Sequence, residues 1–240
     1  AAESHVDNSI TNPEIFINTN INGVFNLLNC AFNYWMDNPF KVKKKFRMAR
    51  FHQISTDEVY GSILKGSFDE DSRYSPNSPY SASKASADMI VRSFHKTYGL
   101  NTTISVCSNN YGPNQNKEKL IPKIIDCLIN NKSIPIFGDG MNVRNWIYVD
   151  DHCQAVDVLF NNAKSGSIYN IASKNELTNI EVVEIIYRIL KKKNKVIKKI
   201  EFVKDRYGHD FRYSVSFTKI KEELGWSPFY NLTQGLKKYL

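Results

Sequence analysis

Short apolar runs alternate with helix-length amphipathic segments along these 240 residues, and that alternation leaves few architectures open. Runs at 51–54, 101–107, 134–137, 168–171 and 200–203 have the length and β-branched content of buried strands. Helical patterns lie at 12–36, 79–98, 119–131, 151–163 and 179–192, with a short one at 217–224 and another at the C-terminus. The punctuation agrees with this division. Asn12-Pro13 and Pro79 suit first turns, Gly99 suits a helix end, and Gly138-Asp139-Gly140 suits a tight turn. Such alternation predicts an α/β fold: a doubly wound parallel sheet covered by helices on both faces.

Composition narrows the class. With 42% hydrophobic and 23% charged residues the chain reads as globular and is long enough for a substantial core. No stretch is apolar enough to span a membrane. The net charge of +8 is concentrated in two runs. Lys41, Lys43, Lys44, Lys45, Arg47 and Arg50 crowd residues 41–50, and six lysines crowd 191–199. Neither run carries an aromatic stacking pattern or a nucleic-acid motif, so solvated loops or helix ends are expected, not a nucleic-acid partner. The first run also reads as a loop insertion between a helix and a strand. Cys30, Cys107, Cys127 and Cys153 are widely spaced, which suits buried thiols in a reducing, cytoplasmic setting. The five histidines lack metal-ligand spacing, and no metal is expected.

Two clusters carry candidate chemistry. Tyr80 and Lys84 form a YxxxK pair, one turn apart on a single helix face. An ammonium beside a phenol favours the phenolate, which makes the tyrosine a candidate base. Thr56, Asp57 and Glu58 follow the strand at 51–54, and ligands of open parallel sheets bind beyond the carboxyl ends of strands. A hydroxyl and two carboxyls at such an end suit acid–base work, although a helix cap would use the same residue types.

Longer strings give a resemblance. AAESHVDNSI, TNINGVFNLL, FHQISTDEVYG, SPYSASKASAD, NNYGP, EKLIP, GDGMNVRNWIYVDDH and DRYGHDFRY occur in this order and cover nearly the whole chain. The chain resembles the extended short-chain dehydrogenase/reductases, and among them the dTDP-glucose 4,6-dehydratase family. The resemblance implies the carboxyl half of a Rossmann-like sheet at 1–115, and a smaller α/β sugar-nucleotide domain mainly at 116–240, the two interleaved. It implies NAD as cofactor, dTDP-glucose as substrate and a homodimer. The strand, Gly-rich turn and helix that hold the NAD pyrophosphate in that family have no match in this sequence.

The resemblance also implies roles. Tyr80 would take the proton of the sugar C4 hydroxyl, with Lys84 as its activator and a ribose ligand. Glu58 would take the C5 proton, Asp57 would protonate the departing C6 hydroxyl, and Thr56 would hold the C4 oxygen. Ala1, Ala2, Glu3, Ser4, Thr19 and Asn110 match positions near NAD. Ser4 and Asn109 match sugar contacts. Lys119, Leu120, Pro135, Phe137, Arg144 and Asn179 match the nucleotide and diphosphate contacts, as does the run Asp205, Arg206, Tyr207, Gly208 and His209. Asn8 and Tyr207 depart from the family, which has arginine and proline there.

Three rival readings fit the same residues. A UDP-hexose 4-epimerase shares YxxxK and NAD but has no need of the Asp57–Glu58 pair. A GDP- or CDP-hexose dehydratase carries a different pair after the threonine. A truncated, non-catalytic sugar-nucleotide binder would keep the tetrad without using it.

Overall fold

The computed structural model describes residues 2–192 and 195–240. At its centre is a parallel sheet of β3 (Phe51–Thr56), β4 (Thr102–Cys107) and β8 (Ile168–Ile171), in the order β3-β4-β8. All six residues of β4 are buried, as a strand covered on both faces requires. Its side chains alternate between two cores. Ile104 and Val106 join Val91 and Phe94 of α4 (Pro79–Tyr98), whereas Cys107 joins Ala155 and Leu159 of α6 (Val149–Asn162). Each of the larger ones (Ile104, Val106, Val91, Phe94 and Leu159) contributes on the order of 1.5–3 kcal/mol by leaving water. The chain is therefore mixed α/β with the Rossmann-like parallel sheet that the alternation predicts. Among the described residues β3 is hydrogen-bonded along one edge only, and Ile54 on it is 45% exposed.

Two further sheets join strands of which only 134–137 and 200–203 were expected from the sequence; the other three strands and the pairings were not. β7 (Val143–Tyr148) pairs in parallel with β5 (Asn109–Tyr111) and antiparallel with β9 (Glu176–Thr178). β6 (Ile134–Phe137) pairs in parallel with β10 (Ile200–Val203). A third apolar core binds these strands to α5 (Leu120–Ile129), α7 (Asn179–Lys191) and α9 (Leu232–Tyr239), through residues such as Ile124, Leu128, Ile136, Val183, Ile186 and Leu236.

The segment read as one helix over 12–36 is more broken. It starts earlier, with α1 (Val6–Thr11), and continues as α2 (Pro13–Phe16), a wide π-helical turn (Ile17–Asn22) and α3 (Gly23–Trp35). The basic run that follows is a small hairpin, β1 (Met36–Asn38) with β2 (Lys41–Val42), and a 3₁₀ turn at Lys44–Phe46. Two of its cations have structural work. Lys43 Nζ donates to the carbonyls of Asn33 and Tyr34 at 3.1 and 3.0 Å, closing the end of α3. The Arg50 guanidinium donates to the carbonyls of Leu159, Phe160 and Ala163 at 2.8, 2.7 and 2.7 Å, closing the end of α6. Helix C-termini leave carbonyls without partners and carry partial negative charge, so cations belong there. Lys41, Lys44, Lys45 and Arg47 are exposed.

Candidate active site

Local rules place the tyrosine. Ser78 caps α4: its hydroxyl accepts the Ser81 N–H at 3.1 Å, and the Ser81 hydroxyl accepts the Ser78 N–H at 3.0 Å. Pro79 starts the first turn, Tyr80 follows, and Lys84 lies one turn further on. Gly99, at φ 70°, ends the helix in the left-handed conformation. The Tyr80 ring meets Phe16 edge-on at 6.2 Å between centroids. Opposite, β3 ends at Thr56, whose hydroxyl accepts the Glu58 N–H at 3.4 Å and so starts the short turn Asp57–Tyr60. The threonine is thus a cap, and the cap is what presents Asp57 and Glu58 beyond the strand end, beside Tyr80.

Two cavities meet there. The first, about 650 Å³, is bounded by Ala2, Ser4, Thr56, Asp57, Glu58, Tyr80, Lys84 and Asn110. The second, about 420 Å³, is bounded by Leu120, Pro135, Phe137, Arg144, Asn179, Arg206, Gly208 and His209. Ser4, Glu58, Asn109 and Lys119 line both. Lys119 Nζ donates to the Ser4 carbonyl at 2.6 Å, which ties the N-terminal segment to the second cavity. Gly208 has φ 66°, and a Cβ there would stand 2.7 Å from the Asn77 carbonyl oxygen, so the loop can close on the segment before α4 only with glycine.

The electrostatics separate the two carboxyls. Burial, reinforced by Glu58, pushes the Asp57 carboxyl up to about 8, so Asp57 is a neutral acid near pH 7. Burial also raises Glu58, but Arg144, Lys119 and Arg206 pull against it. Burial and then Glu58 hold the Tyr80 phenol well above its ordinary value, and burial pulls the Lys84 amine down. The simple expectation of a lysine that lowers the tyrosine is therefore incomplete for the protein by itself: the positive charge it relies on is itself disfavoured by burial.

Buried polar atoms without partners show what the cavities can hold. Asn109 Oδ1, Asn110 Oδ1 and Gln115 Oε1 are buried acceptors lining the first cavity with no hydrogen bond among the described residues. A carboxamide and a ribose supply the donors they lack, so these residues fit the nicotinamide riboside end of NAD. In the second cavity Trp146 Nε1 and Asn179 Oδ1 are likewise unpartnered. Its cations suit a diphosphate. Arg206 stacks over Phe137 at 4.4 Å and pairs with Asp7 at 3.2 Å. Arg144 lies over the Tyr213 ring at 4.2 Å and donates to the carbonyls of Val143, Phe211 and Asp210 at 2.8, 3.1 and 2.8 Å. Three of the five guanidinium N–H groups are thereby engaged, which leaves two for a ligand.

Several expected positions lie elsewhere. Ala1 is outside the described residues. Thr19 is half-buried on the π-helical turn and does not border the first cavity. Its neighbour Asn20 does, because the extra residue in a π turn shifts which side chain faces inward. Asn20 accepts the Glu3 N–H and donates to the Glu3 carbonyl, both at 3.0 Å. Glu3 is therefore held by its backbone and does not line the cavity. Asp205 and Tyr207 also stay outside: Asp205 holds His209 Nδ1 at 2.6 Å, and Tyr207 is 75% exposed. Asn20 and Tyr213 sat inside the strings that carry the resemblance but were given no role. The Tyr213 hydroxyl donates to Asp210 at 2.9 Å while its ring supports Arg144.

A Tyr–Lys helix facing the carboxyl end of a parallel sheet, with a cationic cavity alongside, defines a short-chain dehydrogenase/reductase of the extended, nucleotide-sugar type. Residues 1–239 match the family model described as GDP-mannose 4,6 dehydratase. The dTDP-glucose 4,6-dehydratase of Escherichia coli is 46% identical over 99% of this chain and 69% of its own length. That of Streptomyces venezuelae, solved with NAD bound, is 42% identical, with a TM-score of 0.90 over 100% of this chain and 70% of its own. The chain belongs to the dTDP-glucose 4,6-dehydratase family. A UDP-glucuronic acid 4-epimerase from Bacillus cereus shares the fold at a TM-score of 0.88 but only 25% of the residues.

Proposed function

We propose that this protein removes water across C5 and C6 of dTDP-glucose to give the 4-keto-6-deoxy sugar, with NAD as resident cofactor. The observation that carries the reading is the Asp57–Glu58 pair: a neutral acid beside a carboxyl flanked by three cations, both next to Tyr80. Epimerisation at C4 requires neither group, which separates the two readings. Bound NAD supplies the hydride acceptor at C4 and the donor at C6. Asn109, Asn110, Tyr80 and Lys84 would hold its nicotinamide riboside end, with Ala2 and Ser4 at the cavity wall.

The residues divide the proton work. Tyr80 takes the C4 hydroxyl proton while Thr56 holds that oxygen. The resulting ketone acidifies C5–H, which Glu58 removes. Asp57 gives its proton to the leaving C6 hydroxyl, since hydroxide leaves poorly unless protonated. Arg206, Lys119 and the free N–H groups of Arg144 take the diphosphate. Pro135, Phe137, Leu120 and Asn179 bound the nucleotide. Residues 1–115 hold the cofactor and carry the proton-transfer groups, and 116–240 mainly bind the sugar nucleotide, the two interleaved through β8.

The finer setting belongs to the same reading. Phe25 on α3 and Met89 on α4 are 46% and 47% exposed, apolar surface suited to pairing with a second copy. All four cysteines are unpaired, which fits a cytoplasmic enzyme, although only Cys107 and Cys127 are buried and Cys30 and Cys153 are exposed, against the expectation of buried thiols. No helix of the described residues is long and apolar enough to cross a membrane.

The test uses the NAD-loaded protein with dTDP-glucose in D₂O, followed by NMR. Wild type should form the 4-keto-6-deoxy sugar with deuterium at C5. Asp57→Asn should still oxidise C4 but lose dehydration by about 10²–10⁴-fold, and Glu58→Gln should slow C5 exchange. A product that is only the C4 epimer refutes the reading.

A further inference from the structure

The chemistry above needs a cationic Lys84, yet the fold gives that ammonium little support. Lys84 is 7% exposed and its Nζ donates one hydrogen bond, to the Ile54 carbonyl at 2.5 Å. An amine buried this deeply gives up its proton unless a negative charge stands nearby. Asp88 provides one. It lies one turn beyond Lys84 on α4 and is 1% exposed. Its Oδ2 accepts from the hydroxyl of Ser55, and from that of Tyr74 at 3.3 Å, while Oδ1 is buried without a partner among the described residues. Two consecutive residues of β3 therefore grip the helix: the carbonyl of Ile54 holds Lys84, and the side chain of Ser55 holds Asp88.

We propose that Asp88 is a positioning residue for the Tyr80–Lys84 pair, its carboxylate fixed by Ser55 and Tyr74 as the buried counter-charge that keeps Lys84 protonated. This rests on the reading of Tyr80 as the base. Packing alone does not explain a carboxylate in this place, because an apolar side chain would join α4 to β3 without desolvating a charge. The groups that face the pair are few. Lys84 feels Asp88 and Cys107, and Asp88 is the stronger influence holding its proton on. Asp88 feels Ser55, Lys84, Tyr74 and Gln53, with Tyr60 close by. Burial pushes Asp88 up to about 6, so below that pH the counter-charge is itself lost.

The experiment reads Lys84 directly. In protein labelled at the lysine side chains, the Lys84 resonance is identified by its absence in Lys84→Met and titrated by NMR. Asp88→Asn should lower the Lys84 titration by about one unit or more, and Asp88→Glu should recover part of it. A purely structural Asp88 would change stability and leave that titration in place, so a folded Asp88→Asn protein with an unmoved Lys84 overturns the inference. Should Asp88→Asn fail to fold, Ser55→Ala takes its place. Removing a donor to the carboxylate raises the Asp88 pKa, so the acid limb of kcat/KM should move to higher pH, and an unmoved limb overturns the inference. Full activity in Tyr80→Phe and Lys84→Met would instead refute the underlying reading of Tyr80 as base.

Discussion

Asp57 should make the fold less stable in proportion to its use. Its carboxyl is 2% exposed and is held up to about 8, against about 4 in an unfolded chain. Between these values the folded protein keeps a proton that the unfolded chain has lost. The sign follows: stability is greatest below the unfolded value and falls as pH rises toward the folded one. Each pH unit in that range costs the fold the free energy of one retained proton, so from pH 5 to pH 7 this group alone removes about 3 kcal/mol. Asparagine has the same shape and no proton to lose. Asp57→Asn should therefore gain about 3 kcal/mol on wild type over that interval. For a chain of this size that is a widening of the melting-temperature gap by roughly 6–12 °C. Urea unfolding of both proteins at pH 5, 6 and 7 measures the gap, and other titrating groups cancel in the difference. Glu58→Gln is a control, because Glu58 is the second cause of the shift and its loss should move the Asp57 step to lower pH. A gap that stays constant from pH 5 to 7 refutes the assignment of Asp57 as a neutral acid, whatever the variant does to catalysis.

Three further outcomes are expected. Arg206→Ala should weaken dTDP binding by about 1.5–3 kcal/mol by calorimetry, the scale of a charged hydrogen bond, whereas unchanged affinity removes Arg206 from the diphosphate site. His152, buried on the α6 side with Nε2 unpartnered, is held down to about 4 by burial. Its share of stability is complete above about pH 6.5 and lost as pH falls toward 4, roughly 3 kcal/mol in all, and an acid-unfolding profile that keeps this share in His152→Gln contradicts it. Gly208→Ala should disturb the loop against Asn77, by its positive φ and the close carbonyl, and so weaken dTDP binding more than it lowers the melting temperature.

What the sequence revealed, and what it hid, follows from how local each cause is. α4 was readable almost to the residue, because its proline and its terminal glycine act within one turn of themselves, while its serine cap shows only in the fold. The placement of Thr56, Asp57 and Glu58 at a strand end was readable for the same reason. β7 was not: Arg144 and Asn145 break its apolar pattern, and it is a strand because β5 and β9 lie on either side of it. The broken helix at the N-terminus was hidden by a π turn that composition does not announce, and that turn is why Asn20 faces the cavity where Thr19 was expected. Asp88 was inside a string recognised as a resemblance, yet its meaning needs Ser55 and Tyr74 beside it, and these come from a strand and a loop distant in sequence.

The cap of α4 has a consequence for anyone wishing to retune this protein for another sugar nucleotide. Ser78 lines the second cavity while its hydroxyl fixes the first turn of the helix that carries Tyr80. A library aimed at nucleotide preference would naturally include position 78, and a larger side chain there would rotate or fray the turn that aims the base. Selectivity and catalytic geometry are thus written into one residue. A redesign that leaves Ser78 fixed and varies Leu120, Pro135 and Phe137 keeps the two separable.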